Sequence, residues 1–199
     1  MENAINEEQK ALENYKIATE HLIKSNNELK NSYDSMVNDL FFAPTGTDDS
    51  GNTEYGNFEN QIKSDTPGRV WDFDKFKNLL LDSNNLGKFM SDEVKFQLQE
   101  AFHAADNLYD ESGYQNENVA AILTDTILPQ LAEAFGYNKD ENLEAYDSAI
   151  TALREIFFNP QNFKYGTVDI GSFIEILKTY TGDYINNLPT DSSAKEDYD

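Results

Sequence analysis

Residues 1–43 read MENAINEEQKALENYKIATEHLIKSNNELKNSYDSMVNDLFFA and contain neither glycine nor proline. Nothing in this stretch interrupts helical hydrogen bonding, so it predicts one helix of roughly 40 residues, about 60 Å long. Further along the chain no run of alternating apolar and polar residues is bounded by turn signals, as a half-buried strand would be. We therefore expect an all-α protein, with this long N-terminal helix joined to a compact helical bundle.

The apolar residues of this stretch follow a heptad pattern. Alternate steps of three and four residues from Ile5 reach eleven positions, of which eight are apolar, as in the seam of a coiled coil. Asn26 falls at an a-type position, where a buried amide can fix register and oligomer number. Two interpretations stay open: the helix packs along its own domain, or it self-associates. In the second case the oligomerisation residues are Ile5, Leu12, Tyr15, Leu22, Asn26, Leu29, Tyr33 and Met36.

Helical patterns return beyond a polar stretch. Residues 44–71 are rich in Gly, Thr, Asp and Asn and have no sustained apolar period, which is typical of a loop or linker. Residues 72–188 contain five segments with helical periodicity, which predict a bundle of about five helices. Within the bundle, Pro129 is expected to kink or divide the third segment. The acidic residues 189–199 predict a disordered tail.

The composition limits the classes of partner. With 37 acidic against 15 basic residues, the formal net charge is −22 at pH 7, so phosphate backbones and anionic membrane surfaces are repelled. We expect no direct nucleic-acid binding, no membrane association, and a protein partner with a basic or apolar surface. The sequence has no cysteine, which excludes disulfides and thiol catalysis. Its acidic opening is unlike a secretory signal, and we expect a location in the cytoplasm or within a virion.

Negative charge is concentrated in one part of the predicted bundle. Residues 96–138 contain seven acids and no lysine or arginine. Three interpretations stay open: a solvated face, a lining that DNA slides past, or a surface that docks a basic protein patch. In the last case the acids could imitate the phosphates of a nucleic acid. The candidate protein-interaction residues are Asp106, Asp110, Glu111, Glu117 and Asp125.

Residues 82–93, DSNNLGKFMSDE, have the skeleton of a twelve-residue calcium loop, with a glycine sixth and an apolar residue eighth. Asp82, Asn84 and Glu93 occupy ligand positions and are the candidate metal ligands. Leu86 supplies no side-chain oxygen at a position where a ligand belongs. The loop therefore predicts weak calcium binding at most.

A second stretch, residues 161–177, has the same glycine and apolar framework without the ligands. Together the two stretches resemble degenerate EF-hand helix pairs, the kind that dystrophin-like proteins use as ion-free scaffolds. The resemblance implies paired helices around each loop. The other interpretation of the first stretch is a helix that stops at a left-handed Gly87, followed by a helix that starts with Ser91 as its N-cap.

The sequence offers no convincing catalytic constellation. Glu100 and His103 have the i, i+3 spacing of a metal-ligating pair, but the second such pair that a di-iron bundle needs is missing. We therefore expect a non-enzymatic acidic assembly protein, such as a self-associating virion component of a phage or mobile element, with no cofactor. The alternatives are a DNA mimic that inhibits a basic nucleic-acid-binding protein, and a weak calcium-binding adaptor.

Overall fold

The computed structural model describes residues 2–160 and 170–189. Their fold is all-α, as predicted, with a long N-terminal helix. The helices are α1 (Glu2–Val37), α2 (Phe58–Ile62), α3 (Phe73–Leu81), α4 (Asp92–Asp106), α5 (Glu117–Ile122), α6 (Leu128–Ala134), α7 (Leu143–Phe157) and α8 (Gly171–Asn186). A π-helical turn (Asn38–Phe42) extends α1, and the strands β1 (Pro44–Thr47) and β2 (Thr53–Tyr55) form a small antiparallel sheet.

Side-chain caps fix where several bundle helices begin. Asp72 Oδ1 accepts a hydrogen bond from the backbone N–H of Lys75 at 3.0 Å, ahead of α3. Ser91 Oγ accepts one from the N–H of Val94 at 3.2 Å, and this helix start is the one predicted from the sequence. Asn142 caps α7 in the same way. Such caps satisfy amide groups that have no acceptor within the first helical turn.

Aromatic rings form the centre of the core. Phe76 of α3 lies 5.7 Å, between ring centroids, from both Phe102 of α4 and Phe173 of α8, and Phe102 lies 5.2 Å from Phe157 of α7. All four side chains are fully buried. Their edge-to-face geometry places the positive edge of one ring against the negative face of the next. One cluster thus joins four helices that are far apart in the sequence.

The third predicted bundle helix changes its hydrogen-bonding pattern just before Pro129. Helix α5 ends at Ile122, a π-helical turn (Leu123–Ile127) follows, and α6 begins at Leu128. Pro129 lies in the first turn of α6 and has no N–H to donate to the preceding turn, and just before it the N–H of Leu128 donates five residues back, to the carbonyl of Leu123. Leu123 and Leu128 are both fully buried, so this change leaves the apolar side of the segment in the core.

Residues 44–71, predicted as a loop or linker, contain secondary structure that packs on the body. The turn between β1 and β2 is closed by Asp48, whose carboxylate accepts hydrogen bonds from the backbone and side chain of Asn52 at 2.8 and 3.0 Å. In α2, Phe58 and Ile62 are 3% and 0% exposed and belong to the core. Two apolar residues one turn apart in a polar stretch give too short a period to predict a helix.

Gly56 determines how the hairpin meets the end of α1. Its φ is +77°, and a Cβ at this position would lie 2.6 Å from the carbonyl oxygen of Leu40 and 2.8 Å from Cα of Phe41. The N–H of Gly56 donates to the carbonyl of Ala43 at 2.7 Å, and the next N–H, of Asn57, donates to that of Leu40 at 2.9 Å. Glycine meets both requirements, a positive φ and a close backbone approach.

Candidate functional site

The C-terminal half of α1 packs on the body. Tyr33 is 8% exposed, and its ring meets Phe89 edge-on at 5.0 Å. Its hydroxyl lies 3.2 Å from Oγ1 of the buried Thr181. Because Thr181 Oγ1 already donates to the Leu177 carbonyl at 2.6 Å, Tyr33 must be the donor to Thr181. Burial, the largest effect, raises the pKa of Tyr33 above its ordinary value.

Asn26 marks the place where α1 meets the body. It is 7% exposed, and its Nδ2 donates to the carbonyl oxygen of Pro189, beyond the end of α8, at 2.8 Å. Leu29 and Met36 pack against the core. Half of the predicted oligomerisation residues, Asn26, Leu29, Tyr33 and Met36, are therefore used within the chain itself. For this half of the seam the structure agrees with packing along the helix's own domain.

The other half of the seam lies on the surface. Ile5, Leu12, Tyr15 and Leu22 are 54%, 66%, 58% and 54% exposed. We call residues 5–22, which carry them, the stem. The four side chains follow the heptad spacing, so they form one stripe along about 25 Å of helix.

The surroundings of the stem make this stripe unusual. All stem residues other than Thr19 are exposed. Most helical stability in proteins comes from packing an apolar face against other structure, and an isolated helix is marginal in water. A large apolar stripe on such a helix is the kind of surface that binds another protein. The stem is therefore our first candidate interaction surface.

The second candidate surface is acidic, and its five residues are all exposed. We call them the acidic face: Asp106, Asp110, Glu111, Glu117 and Asp125. They extend from the end of α4, through the loop that follows, to α5 and the π-helical turn. Among the described residues none of the five forms a salt bridge. The surrounding stretch has no lysine or arginine. A cation from another helix, Arg154 of α7, approaches one end of the face, where its Nη1 lies 3.4 Å from Oγ1 of Thr124, next to Asp125.

Hydrogen bonds shape the loop between α4 and α5 that carries part of the acidic face. Asp110 Oδ1 accepts from the N–H of Tyr114 at 2.9 Å, across a turn in which Gly113 has φ +81°. Tyr109 donates its hydroxyl hydrogen to the carbonyl of Phe158 at 2.9 Å, which ties the loop to α7. Tyr114 is 76% exposed, an aromatic side chain among the acids that the sequence analysis missed. The signal was present in the Asp-x-x-Gly turn pattern that precedes it.

The candidate calcium loop forms the junction between α3 and α4. It contains a 3₁₀ turn (Leu86–Phe89), in which Leu86 is fully buried, so the fifth position of the loop faces the core. Asp82 Oδ1 accepts from the backbone N–H and the side-chain amide of Asn84, at 2.8 and 3.1 Å. Glu93 is exposed in the first turn of α4. Two of the predicted ligands thus bind each other in a local turn, and the third lies on the next helix.

Gly87 is not the left-handed stop that one interpretation required, because its φ is outside the positive range. A Cβ at Gly87 would lie 2.6 Å from the carbonyl oxygen of Leu81, so glycine is needed here for a close backbone approach. In the second stretch with this framework, residues 161–169 lie outside the described residues. The remainder forms the start of α8.

Other kinds of site have little support in the part of the chain that the structure describes. There, no group of three or more His, Cys, Asp or Glu side chains is placed to hold a metal ion. Glu100 and His103 lie exposed on α4. No described helix is both long and apolar enough to cross a membrane.

No protein-family model, curated protein or solved structure matches this chain. Any functional assignment therefore depends on the two surfaces themselves, the stem and the acidic face.

Proposed function

We propose that this protein is a non-catalytic assembly protein that self-associates through its stem. The observation that carries the proposal is the exposure of Ile5, Leu12, Tyr15 and Leu22, each more than half exposed at heptad spacing on one helix. The same seam continues into residues that pack on the body. Its apolar side chains are therefore buried in one half of the helix and exposed in the other. A second copy of the stem is the partner whose pattern matches this face.

The expected affinity is modest. Four seam side chains from each of two chains, each about half exposed, would contribute on the order of 8–10 kcal/mol when buried. Association costs at least about 4 kcal/mol in lost translational and rotational freedom. The dissociation constant is therefore expected between roughly 40 µM and 1 mM. Because both copies are strongly acidic, added salt should screen their repulsion and strengthen the association.

Sedimentation over that concentration range tests the proposal. The wild-type chain should change from monomer to oligomer as concentration rises, whereas Leu12→Asn should stay monomeric. The matched control is Ile17→Asn, which removes an apolar side chain that is 47% exposed on the same helix but lies off the seam. Both substitutions exchange an apolar residue for asparagine, a weak helix former. A monomeric wild-type chain at every concentration, or equal loss of association in both variants, would contradict the proposal.

The biological setting that we propose is a structural particle, such as that of a phage or mobile element. The support is compositional: a strongly acidic chain with no cysteine and 22 asparagines, as expected of an AT-rich genome. No cofactor is part of this proposal.

A second candidate function is supported by the acidic face. Five exposed acids, none of which forms a salt bridge among the described residues, make a surface that suits a basic protein patch. Such a surface can occupy a nucleic-acid-binding site by imitating phosphates. Competition against nucleic acid for a basic nucleic-acid-binding enzyme would test this function. Changing four of the acids to amides should abolish competition; they are Asp106, Asp110, Glu111 and Glu117.

The control for that experiment replaces four other exposed acids with amides and so removes the same total charge. They lie at and just before the start of α7: Asp140, Glu141, Glu144 and Asp147. If both sets of amides weaken competition equally, the effect is one of net charge alone, and the acidic face has no special role.

A further inference from the structure

The seam of the stem contains two polar positions, and they restrict how two stems can pair. Glu8 and Thr19 occupy seam positions among the four exposed apolar residues. In a parallel pair each seam residue faces its own copy, so Glu8 would face Glu8 and bring two carboxylates together. Like charges directly opposite each other destabilise such a pair. The parallel arrangement therefore places the least favourable contact inside the apolar stripe.

We propose that two stems pair in antiparallel orientation, in the register where residue numbers of facing seam positions add up to 27. This inference rests on the proposed self-association of the stem. In this register Ile5 faces Leu22, Leu12 faces Tyr15, and Glu8 faces Thr19. Every apolar residue meets an apolar residue. The Thr19 hydroxyl, which donates to the Tyr15 carbonyl at 2.9 Å within its own helix, can turn to donate to the facing carboxylate.

The length of the exposed helix fits this register. In this register Ile5 of one chain lies opposite Leu22 of the other, about one helical turn before Asn26, where α1 becomes buried against the body through its bond to Pro189. The antiparallel overlap thus uses the whole stem of both chains and ends where each body begins. An overlap shifted by a heptad in one direction would place the partner's Ile5 opposite Leu29, which already packs against the core. A shift in the other direction would place Glu8 opposite Leu12.

The flanks of the seam and the distribution of charge agree with the same pairing. On one flank the residues are small, namely Ala11, Ala18 and Ser25, which lets two helices approach closely without steric conflict. The stem holds four acids and two bases, whereas residues 73–199 hold 23 acids and nine bases. An antiparallel pair places the two bodies at opposite ends, with their Asn26 residues about 38 Å apart along the axis. Their repulsion is then largely screened at physiological salt.

Disulfide trapping distinguishes the orientations, because the chain has no cysteine of its own. Single variants Glu8→Cys and Thr19→Cys change only the two polar seam positions and leave the apolar contacts intact. In the antiparallel register an equal mixture of the two variants should form a mixed disulfide on oxidation. Neither variant alone should cross-link, since the two copies of residue 8 lie about 16 Å apart along the axis, beyond the reach of a disulfide.

Sedimentation of the same variants, run beside the oxidation experiment, shows whether they associate at all. Mixed cross-links alone support the antiparallel register. If the variants associate and either one cross-links strongly by itself, the register is wrong. The register is also wrong if they associate and no sample cross-links. In both cases the proposed self-association is still supported. A monomer at all concentrations removes the proposed function together with this inference. As a second measurement, Glu8→Gln should change the dissociation constant less than about threefold, whereas a parallel pair would tighten about tenfold or more at low salt.

Discussion

Truncation of Ile62 to alanine tests whether residues 44–71 belong to the core. Ile62 is 0% exposed in α2, and the change removes three carbon atoms. Burial of these three carbon groups stabilises the folded state by about 2.4 kcal/mol, at roughly 0.8 kcal/mol per group, and the variant loses this contribution. The unfilled cavity adds to this, so we expect the free energy of unfolding to fall by about 3 kcal/mol. The matched control is Val70→Ala in the same segment, where the side chain is 46% exposed and the expected loss is about 0.5 kcal/mol or less.

Urea unfolding followed by circular dichroism, with the slope of each transition compared, measures both values. The slopes of wild type and variants should agree, because a change in slope would report a different native or denatured state and not a lost contact. If Ile62→Ala unfolds within about 0.5 kcal/mol of the wild type, like its control, then α2 is not part of the cooperative core. In that case residues 44–71 would behave as the linker that their composition suggests.

Three further predictions concern other parts of the chain. Tyr33 has a raised pKa because of burial, so its neutral form stabilises the folded state below its ordinary pKa of about 10, and this contribution is lost as pH rises above that value. In Tyr33→Phe, pH titration of the unfolding midpoint should therefore show a shallower alkaline decline. Gly56→Ala should destabilise the protein by more than Gly113→Ala in the same thermal assay. Both glycines have a positive φ, but only Gly56 would bring its Cβ against backbone atoms. Calorimetry at millimolar calcium should show weak heat at most, and any heat that persists in Glu93→Gln would be nonspecific binding to acidic residues.

The sequence predicts the helices of the body well because each carries its own local signal. Ser91 is followed by acids and an apolar period, and it caps α4. Pro129 cannot donate a hydrogen bond, and a π-helical turn lies just before it. In contrast, α2 depends on tertiary contacts of Phe58 and Ile62 that no short-range pattern contains. Gly87 was assigned the wrong backbone conformation because the close approach of Leu81 can be seen only in three dimensions.

For the candidate sites, too, some features could be predicted from the sequence and others could not. The exposure of the five acids could be anticipated, since their own stretch of sequence offers no lysine or arginine to pair with. Which part of the heptad seam packs on the body could not be anticipated, because a continuous period looks the same whether its partner is the chain's own body or a second copy. Whether a seam position is buried depends on where the body lies along the helix, and that is set by long-range contacts such as the one between Tyr33 and Thr181.

Asn26 is the residue at which the packed and the exposed halves of the seam meet. In a coiled coil an amide at such a position would fix the register between two chains. Here its Nδ2 binds the Pro189 carbonyl of its own chain at 2.8 Å, so the amide fixes instead where α1 docks against the end of α8. Because the heptad register continues unbroken from Asn26 into the stem, the docked half determines the direction in which the exposed stripe of Ile5, Leu12 and Leu22 faces. The body thereby sets both the orientation of the stem and the furthest point that a partner stem can reach.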